Sequence, residues 1–311
     1  MRRIHVIAAV IRDAQGRILI AKRPDHAHQG GLWEFPGGKL EDGETRLEGL
    51  GRELQEELGI TVTQARPLLD IRHDYPDKSV HLDVWLVTGF DGQAHGAEGQ
   101  PVRWVTAREL DDYPFPAANA PIVRAAQLPE RYLITPDLAD EAELMAGLER
   151  ARAAGIGLAQ LRQTGLSAEA YRALAERLLA RFADEFQWLM KGDEPPPWPG
   201  VGWHLTSRQL RELPLRRRRP LENGALLAAS CHDAEELALA EALGVDFVTL
   251  SPVQPTASHP DAAPLGWTRA RELIDSVNMP VYLLGGLSAN ELEQAFEVGA
   301  QGIAGIRQLW R

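Results

Sequence analysis

The sequence predicts an α/β protein of two domains, and three observations predict it. A chain of 311 residues is long for one hydrophobic core. Its first part sets mixed strand-like segments around a single strongly patterned helix. Its second part alternates short apolar runs with amphipathic stretches, the pattern of parallel strands buried on both faces and joined by helical crossovers.

In the first part, residues 4–11 and 18–22 read as strands around a turn at Asp13-Ala14-Gln15-Gly16. A glycine-rich loop over 30–43 precedes a helix expected from about 44 to 58, which stops at Gly59. Further strands are expected at 68–73, 81–88 and 102–105, with a short helix at 121–127. The pattern changes around Leu128-Pro129-Glu130, which places the domains at 1–128 and 131–311. Downstream, apolar runs at 132–135, 158–162, 187–190, 202–205, 225–229, 247–250, 281–284 and 302–304 alternate with helix candidates at 141–154, 168–183, 234–243, 268–276 and 289–298. About eight such runs fit a closed (β/α)8 barrel. An open doubly wound sheet satisfies the same periodicity.

Composition narrows the function. A hydrophobic fraction of 44% and a charged fraction of 25% place the chain among ordinary globular proteins. A net charge of −11 argues against stable binding of nucleic-acid polymer, which needs a positive surface to displace counterions. The arginine run at 216–219 is the local exception; it reads as a solvated loop or helix end, with an anion or partner contact as the alternative. One cysteine, Cys231, forms no internal disulfide and points to the cytoplasm. No stretch approaches the roughly 20 apolar residues of a membrane helix, and Met1-Arg2-Arg3 runs into a strand with no signal-peptide pattern.

The chemistry concentrates in residues 38–60, GKLEDGETRLEGLGRELQEELGI. Gly38 is followed after five residues by Glu44, and after seven more by Arg52-Glu53-Leu54-Gln55-Glu56-Glu57-Leu58-Gly59-Ile60. On a helix, Glu53, Glu56 and Glu57 share one face. Three adjacent carboxylates repel one another unless a cation sits among them, and oxygen-only ligands suit Mg²⁺ or Mn²⁺ rather than zinc. Leu47, Leu50, Leu54 and Leu58 form a separate stripe expected to bury against the sheet. Gly37-Gly38 is expected to supply a turn whose backbone approaches phosphate or metal. The bland alternative for the glutamates is a solvated acidic face.

This segment resembles the Nudix box, the signature of hydrolases that cut nucleoside diphosphates linked to another group. The resemblance implies an α/β/α sandwich with a mixed sheet over roughly residues 1–128 and metal ligation by Gly38 (through its carbonyl), Glu53, Glu56 and Glu57; the later segment at Glu98 implies a further ligand or catalytic base there, with a surface loop glutamate as the alternative. The resemblance implies catalytic roles for Glu53, Glu98 and Arg52, the arginine pairing with Glu44 to hold the loop against the helix. The flanks resemble the MutT-type branch, which acts on oxidised guanine nucleotides. These are Leu32-Trp33-Glu34-Phe35-Pro36-Gly37-Gly38-Lys39, Glu98-Gly99-Gln100-Pro101 and Asp111-Asp112-Tyr113-Pro114-Phe115-Pro116-Ala117-Ala118-Asn119-Ala120-Pro121. Asn119 offers a donor beside an acceptor and so suits a purine edge on which oxidation has turned N7 into a donor. An extra alanine between Pro116 and Asn119 departs from the branch's pattern, and a loop-capping role is the alternative. Arg23, with Lys22 or His28, is expected to meet triphosphate oxygens, a solvated strand-end arginine being the alternative. Phe35 packs on the base or fills the core.

Residues 131–311 resemble the thiamine phosphate synthase and TenI family, a (β/α)8 TIM barrel. The marks are Tyr132-Leu133-Ile134-Thr135-Pro136-Asp137, Gln160-Leu161-Arg162, Trp203-His204-Leu205, Ser230-Cys231-His232, Ser251-Pro252-Val253-Gln254-Pro255-Thr256 and Gly285-Gly286-Leu287-Ser288. Four departures count against synthase activity. Gln163-Thr164 stand where a lysine is expected, Gly192-Asp193 replace Asn-Asp, Thr206-Ser207-Arg208-Gln209 lack the metal-binding acid, and His259 replaces a lysine. A phosphate site at Gly285, Gly286 and Ser288 is expected to survive, with helix capping as the other reading of Ser288. His204 and His232 would face the barrel mouth, with a hydrogen-bonded packing role as the alternative.

The sequence therefore points to a Mg²⁺-dependent enzyme that hydrolyses 8-oxo-dGTP to 8-oxo-dGMP and pyrophosphate. Its partners would be the free nucleotide and a thiamine-related phosphate in the barrel, with no membrane. The alternatives are a Nudix reaction on another nucleoside diphosphate derivative, or a regulator whose barrel binds a thiamine-related phosphate.

Overall fold

The structure, a computed structural model, describes residues 3–25, 29–74, 79–213, 219–221, 224–256 and 263–310. The chain divides into two compact units, Met1–Gln127 and Leu128–Arg311.

The first unit is built on β1 (Arg3–Arg12), β2 (Ile18–Lys22), β3 (Trp33–Glu34), β4 (Gly37–Lys39), α1 (Arg46–Leu58), β5 (Thr61–Asp74), β6 (Ser79–Asp91), β7 (Val102–Val105) and α2 (Ala120–Gln127). Its sheet runs β3-β2-β1-β6-β5, with β4 paired to β1 and β7 to β2. Only the β1–β6 pair is parallel among these, so the sheet is mixed. Alternation along β1 sends Ile7, Ala9 and Ile11 to one face, where they meet Leu50, Leu54 and Leu58 of α1. Val10 points to the other face, with Ile122, Ala125 and Ala126 of α2. Helices on both faces make an α/β/α sandwich.

Helix α1 starts two residues later than the pattern suggests, because Thr45 caps it. Its hydroxyl accepts from the Glu48 amide while the Glu48 carboxylate accepts from the Thr45 amide, an arrangement worth about 1 kcal/mol. Gly59 ends the helix in the left-handed region at φ 68°. Leu50, Leu54 and Leu58 are fully buried, each contributing about 1.5–3 kcal/mol. Leu47, in the first turn, is not: it is 56% exposed. Gly37-Gly38 is likewise a strand rather than a turn, registered antiparallel to β1 as Ile7↔Gly38 and Ala8↔Gly37. A Cβ on Gly37, at φ 144°, would lie 2.1 Å from the Ile7 carbonyl oxygen, so only glycine permits this pairing. Strand β5 is longer than expected, kept in register by irregularities between Val62 and Leu69.

The second unit closes. Its strands are β8 (Arg131–Ile134), β9 (Leu158–Leu161), β10 (Gln187–Met190), β11 (Gly202–Leu205), β12 (Leu227–Cys231), β13 (Phe247–Leu250), β14 (Val281–Leu283) and β15 (Gly302–Gly305). All neighbours are parallel, and β15 returns to β8. The open-sheet alternative is excluded. Between the strands run α3 (Glu141–Ala153), α4 (Ala168–Phe182), α5 (Ser207–Glu212), α6 (Ala234–Leu243), α7 (Gly266–Ile274), α8 (Leu292–Glu297) and α9 (Arg307–Trp310). The expected helix at 289–298 divides into a 3-10 turn, Ala289–Glu291, and α8; α5 and α9 carry no clear periodicity in so few residues. Tyr132, Leu158, Leu189, Phe247 and Tyr282 fill the barrel interior. Of the arginine run, only Arg219 is described. It pairs with Asp246 and donates to the Gly244 and Ala225 carbonyls, which makes it a fastening between loops.

Among the described residues, no helix is long and apolar enough to cross a membrane.

Candidate active site

In the first unit, a cavity of about 330 Å³ is lined by the middle of β1, by β4 and by the last turn of α1. Its walls include Arg23, Glu34, Phe35, Gly38, Glu57 and Asn119, which come from five separate segments of the chain. Phe35 is buried and stacks on Phe115 at 5.3 Å between ring centroids, so one face serves the core while part of the residue reaches the cavity. Asn119 ends a 3-10 turn, Ala117–Asn119, whose backbone bond to Pro116 closes the loop. His28 lies outside the described residues.

The carboxylates of α1 have distinct surroundings. Glu57 turns inward and accepts from the Gly37 amide at 2.9 Å. Burial, reinforced by the charges of Glu34, Glu53 and Glu98, pushes its carboxyl up to about 8 in spite of that bond. Glu53 sits against Gly38, and burial raises it too, opposed by Arg52. Glu56 faces solvent, 3.3 Å from Arg52. Arg52 holds the corner together. It donates to both oxygens of Glu44 at 2.7 and 3.0 Å, to Glu53 at 2.9 Å and to the Lys39 carbonyl at 3.1 Å. The Arg52 hydrogen bonds in turn bring Glu44 down to about 2.

Glu98 is exposed and lies on a loop tied to the end of α1. The Ala97 amide and the Gln100 side chain both donate to the Glu57 carbonyl at 2.9 Å, and Gln100 also receives the Glu98 amide. Gln100 thereby fixes where Glu98 stands, a role its place in the motif did not disclose. Glu34 was also missed as a site residue. It is paired with Arg23, and burial raises its carboxyl. The available signal was a carboxylate flanked by two buried aromatics, Trp33 and Phe35.

The donor set fits a hard divalent cation. Glu57 is a half-buried carboxylate with further carboxylates as its electrostatic neighbours and a single backbone N–H to offset them. Glu53 and the Gly38 backbone adjoin it with oxygen donors. Among the described residues, however, no group of three or more acidic or imidazole side chains stands ready to hold an ion. Glu56 and Glu98 point outward, and the set is only partly assembled.

In the barrel, the departures from the synthase pattern gather in one place. Thr164, Gly192, Asp193, Arg208 and Gln209 line a cavity of about 700 Å³ beside β9, β10 and β11. Gln209 is spent there: its oxygen caps α5 through Thr206, and its amide donates to the Gly192 carbonyl at 2.7 Å. His259 lies outside the described residues. A second cavity of about 340 Å³ is lined by Thr256, Gly285, Gly286, Gly305 and Arg307. Ser288 is not on its wall; its hydroxyl and amide close a capping box with Asn290 and Glu291. His204 is a packed core residue between Tyr132 and Ser230, at 2.8 and 3.0 Å, and burial lowers it to about 3. His232 is exposed and bonds the Ser251 carbonyl.

A mixed-sheet sandwich with carboxylates of one helix facing a glycine strand defines a Nudix-type hydrolase, and the closed parallel barrel defines the second module. The NUDIX domain family profile matches residues 7–125 and the thiamine monophosphate synthase profile matches residues 131–309. The chain belongs to the Nudix family over its first unit and to the thiamine monophosphate synthase/TenI family over its second. An 8-oxo-dGTP diphosphatase of Proteus vulgaris is 47% identical over 98 residues, covering 32% of this chain and 88% of that protein. A CTP pyrophosphohydrolase of Escherichia coli is 38% identical over 125 residues, covering 40% and 92%. An Aquifex aeolicus protein provisionally named thiamine-phosphate synthase 2 is 31% identical over 184 residues, covering 58% and 97%. Nudix membership implies dependence on a divalent metal.

Proposed function

We propose that the domain at 1–128 hydrolyses 8-oxo-dGTP to 8-oxo-dGMP and pyrophosphate with Mg²⁺, or Mn²⁺ in its place. The observation that carries this reading is the shared cavity. Asn119, an amide suited to an oxidised purine edge, and Arg23, suited to phosphate, line the same 330 Å³ as Gly38 and Glu57.

Gly38, Glu53, Glu56, Glu57 and Glu98 would hold the metal, which when bound neutralises phosphate charge and lowers the pKa of water. Arg52 keeps Glu44 and Glu53 in place, while Arg23 orients the triphosphate. A water oxygen attacks the β-phosphorus, and Glu53 or Glu98 takes its proton. The bond from the β-phosphorus to the α–β bridging oxygen breaks; that oxygen leaves with 8-oxo-dGMP, and the other two phosphates depart as pyrophosphate.

Steady-state hydrolysis of 8-oxo-dGTP, dGTP and CTP by the full chain, beside Glu53→Gln, tests this. A large preference in kcat/KM for the oxidised nucleotide, lost in Glu53→Gln, supports it. A preference for CTP moves the substrate to the second reading, which the Escherichia coli relative favours.

For the domain at 131–311, binding of a thiamine-related phosphate at the cavity of Gly285 and Gly286 is supported by its position after the last two strands. The loss of cation and metal ligands around Gln209 argues against synthase chemistry. A concentration-dependent rise in the barrel's thermal midpoint with thiamine phosphate is the expected result.

A further inference from the structure

We infer that Arg46 and Asp83 are positioning residues for the metal-binding helix, an inference that rests on the Nudix reading of the first unit. Asp83 lies on β6 with its side chain fully buried in the sheet. Both its oxygens accept from the Arg46 guanidinium, and Trp85 Nε1 adds a third donor at 2.9 Å. Arg46 is the first residue of α1, and its guanidinium also lies over the Trp85 ring at 5.1 Å. A buried carboxylate is expensive unless several donors satisfy it, and here they do. The pair is therefore a fixed point between helix and sheet, in contrast to the exposed ion pairs on the barrel helices.

Its location gives it leverage. The register places Asp83 beside Ile7, and Ile7 beside Gly38. Gly38 contacts Glu53, and Gly37 donates to Glu57. The contacts form a closed circuit: from Arg46 to Asp83, across β6, β1 and β4, and back to α1 at its carboxylates. Glu53 is seven residues beyond Arg46, roughly 10 Å along the axis. A tilt of about 5° at the start of α1 would therefore move Glu53 by about 1 Å, a displacement of the size that costs up to about a hundredfold in rate. Neither residue reaches the cavity wall, so both act through Glu53 and Glu57.

The test uses the full chain with Arg46→Gln, Arg46→Lys and Asp83→Asn, each checked for folding by circular dichroism. Arg46 is partly exposed, so its variants serve even if Asp83→Asn does not fold. Two readouts are taken: steady-state hydrolysis of 8-oxo-dGTP and CTP, and Mn²⁺ affinity by calorimetry without nucleotide. The expected result for Arg46→Gln is a kcat at least roughly tenfold lower, KM within about twofold, and weaker Mn²⁺ binding, with Arg46→Lys recovering part of each. A folded Arg46→Gln whose kcat and Mn²⁺ affinity both match the parent chain overturns the inference. If the parent chain hydrolyses neither nucleotide, the substrate reading fails while Mn²⁺ affinity still decides the positioning role.

Discussion

The α-carbon of Gly38 faces Glu53 so closely that a Cβ built there would stand 2.2 Å from Oε2. The obstructing atoms are the end of a side chain, which can swing aside. Gly38→Ala should therefore fold, with a thermal midpoint within a few degrees of the parent, yet lose roughly a hundredfold in kcat as Glu53 is displaced. At the neighbouring Gly37, itself at φ 144°, the obstruction is the Ile7 backbone, so Gly37→Ala should lose stability first. Thermal melts beside single-turnover rates separate the two; equal losses of stability would contradict the assignment of Gly38 to the site.

Asn119 is expected to govern discrimination rather than rate. Asn119→Ala should reduce the ratio of kcat/KM for 8-oxo-dGTP over dGTP by at least about tenfold, because a buried polar edge left unpaired is what penalises the wrong base. Hydrolysis of dGTP itself should change little. An unchanged ratio would return Asn119 to a loop-capping role.

The Glu44–Arg52 pair predicts an acid-side effect. The Arg52 hydrogen bonds lower Glu44 from its ordinary 4.5 to about 2. A carboxyl depressed on folding stabilises the fold above 4.5, and that contribution drains away as pH falls toward 2. Glu44→Gln should flatten this part of the stability profile of the first unit, measured by urea unfolding between pH 5 and pH 2 monitored through amide exchange in α1.

His204 predicts a second, separate acid sensitivity. Burial lowers it from 6.5 to about 3, so the unfolded chain takes up a proton that the folded barrel refuses. His204's contribution to the stability of the barrel is fully present above 6.5 and is lost as pH drops toward 3, by up to about 1.4 kcal/mol per pH unit. His204→Asn should remove that slope, read from hydrogen exchange of the β11 amides. A slope that persists would assign the proton uptake to another group.

The grouping of Glu53, Glu56 and Glu57 could be read early because helical spacing is a local property, reported by neighbours in sequence. The same is true of the leucine stripe, except at Leu47, which the packing of α1 leaves exposed. Glu34, Gln100, Arg46 and Asp83 escaped such a reading. Each draws its role from a partner on another strand or loop, and no periodicity encodes the register that joins them. The extra alanine before Asn119 likewise gave no hint of whether the loop would reach the cavity; a 3-10 turn takes up the residue.

In the barrel, apolar runs betray strands buried on both faces, but closure is a property of the whole set. It appears only when β15 pairs with β8, at residues more than a hundred positions apart. Ser288 shows the same limit at close range. Its capping box is visible in four consecutive residues, while its absence from the neighbouring cavity wall follows from the path of Gly285-Gly286. Local chemistry, in caps, periodicity and the spacing of carboxylates, is written along the chain because it acts over a few residues. The choice of which carboxylate is buried, which arginine is already engaged and which glycine faces Glu53 depends on distant segments packing together. That packing sets the dielectric and the hydrogen-bond partners, and with them the charge state on which hydrolysis depends.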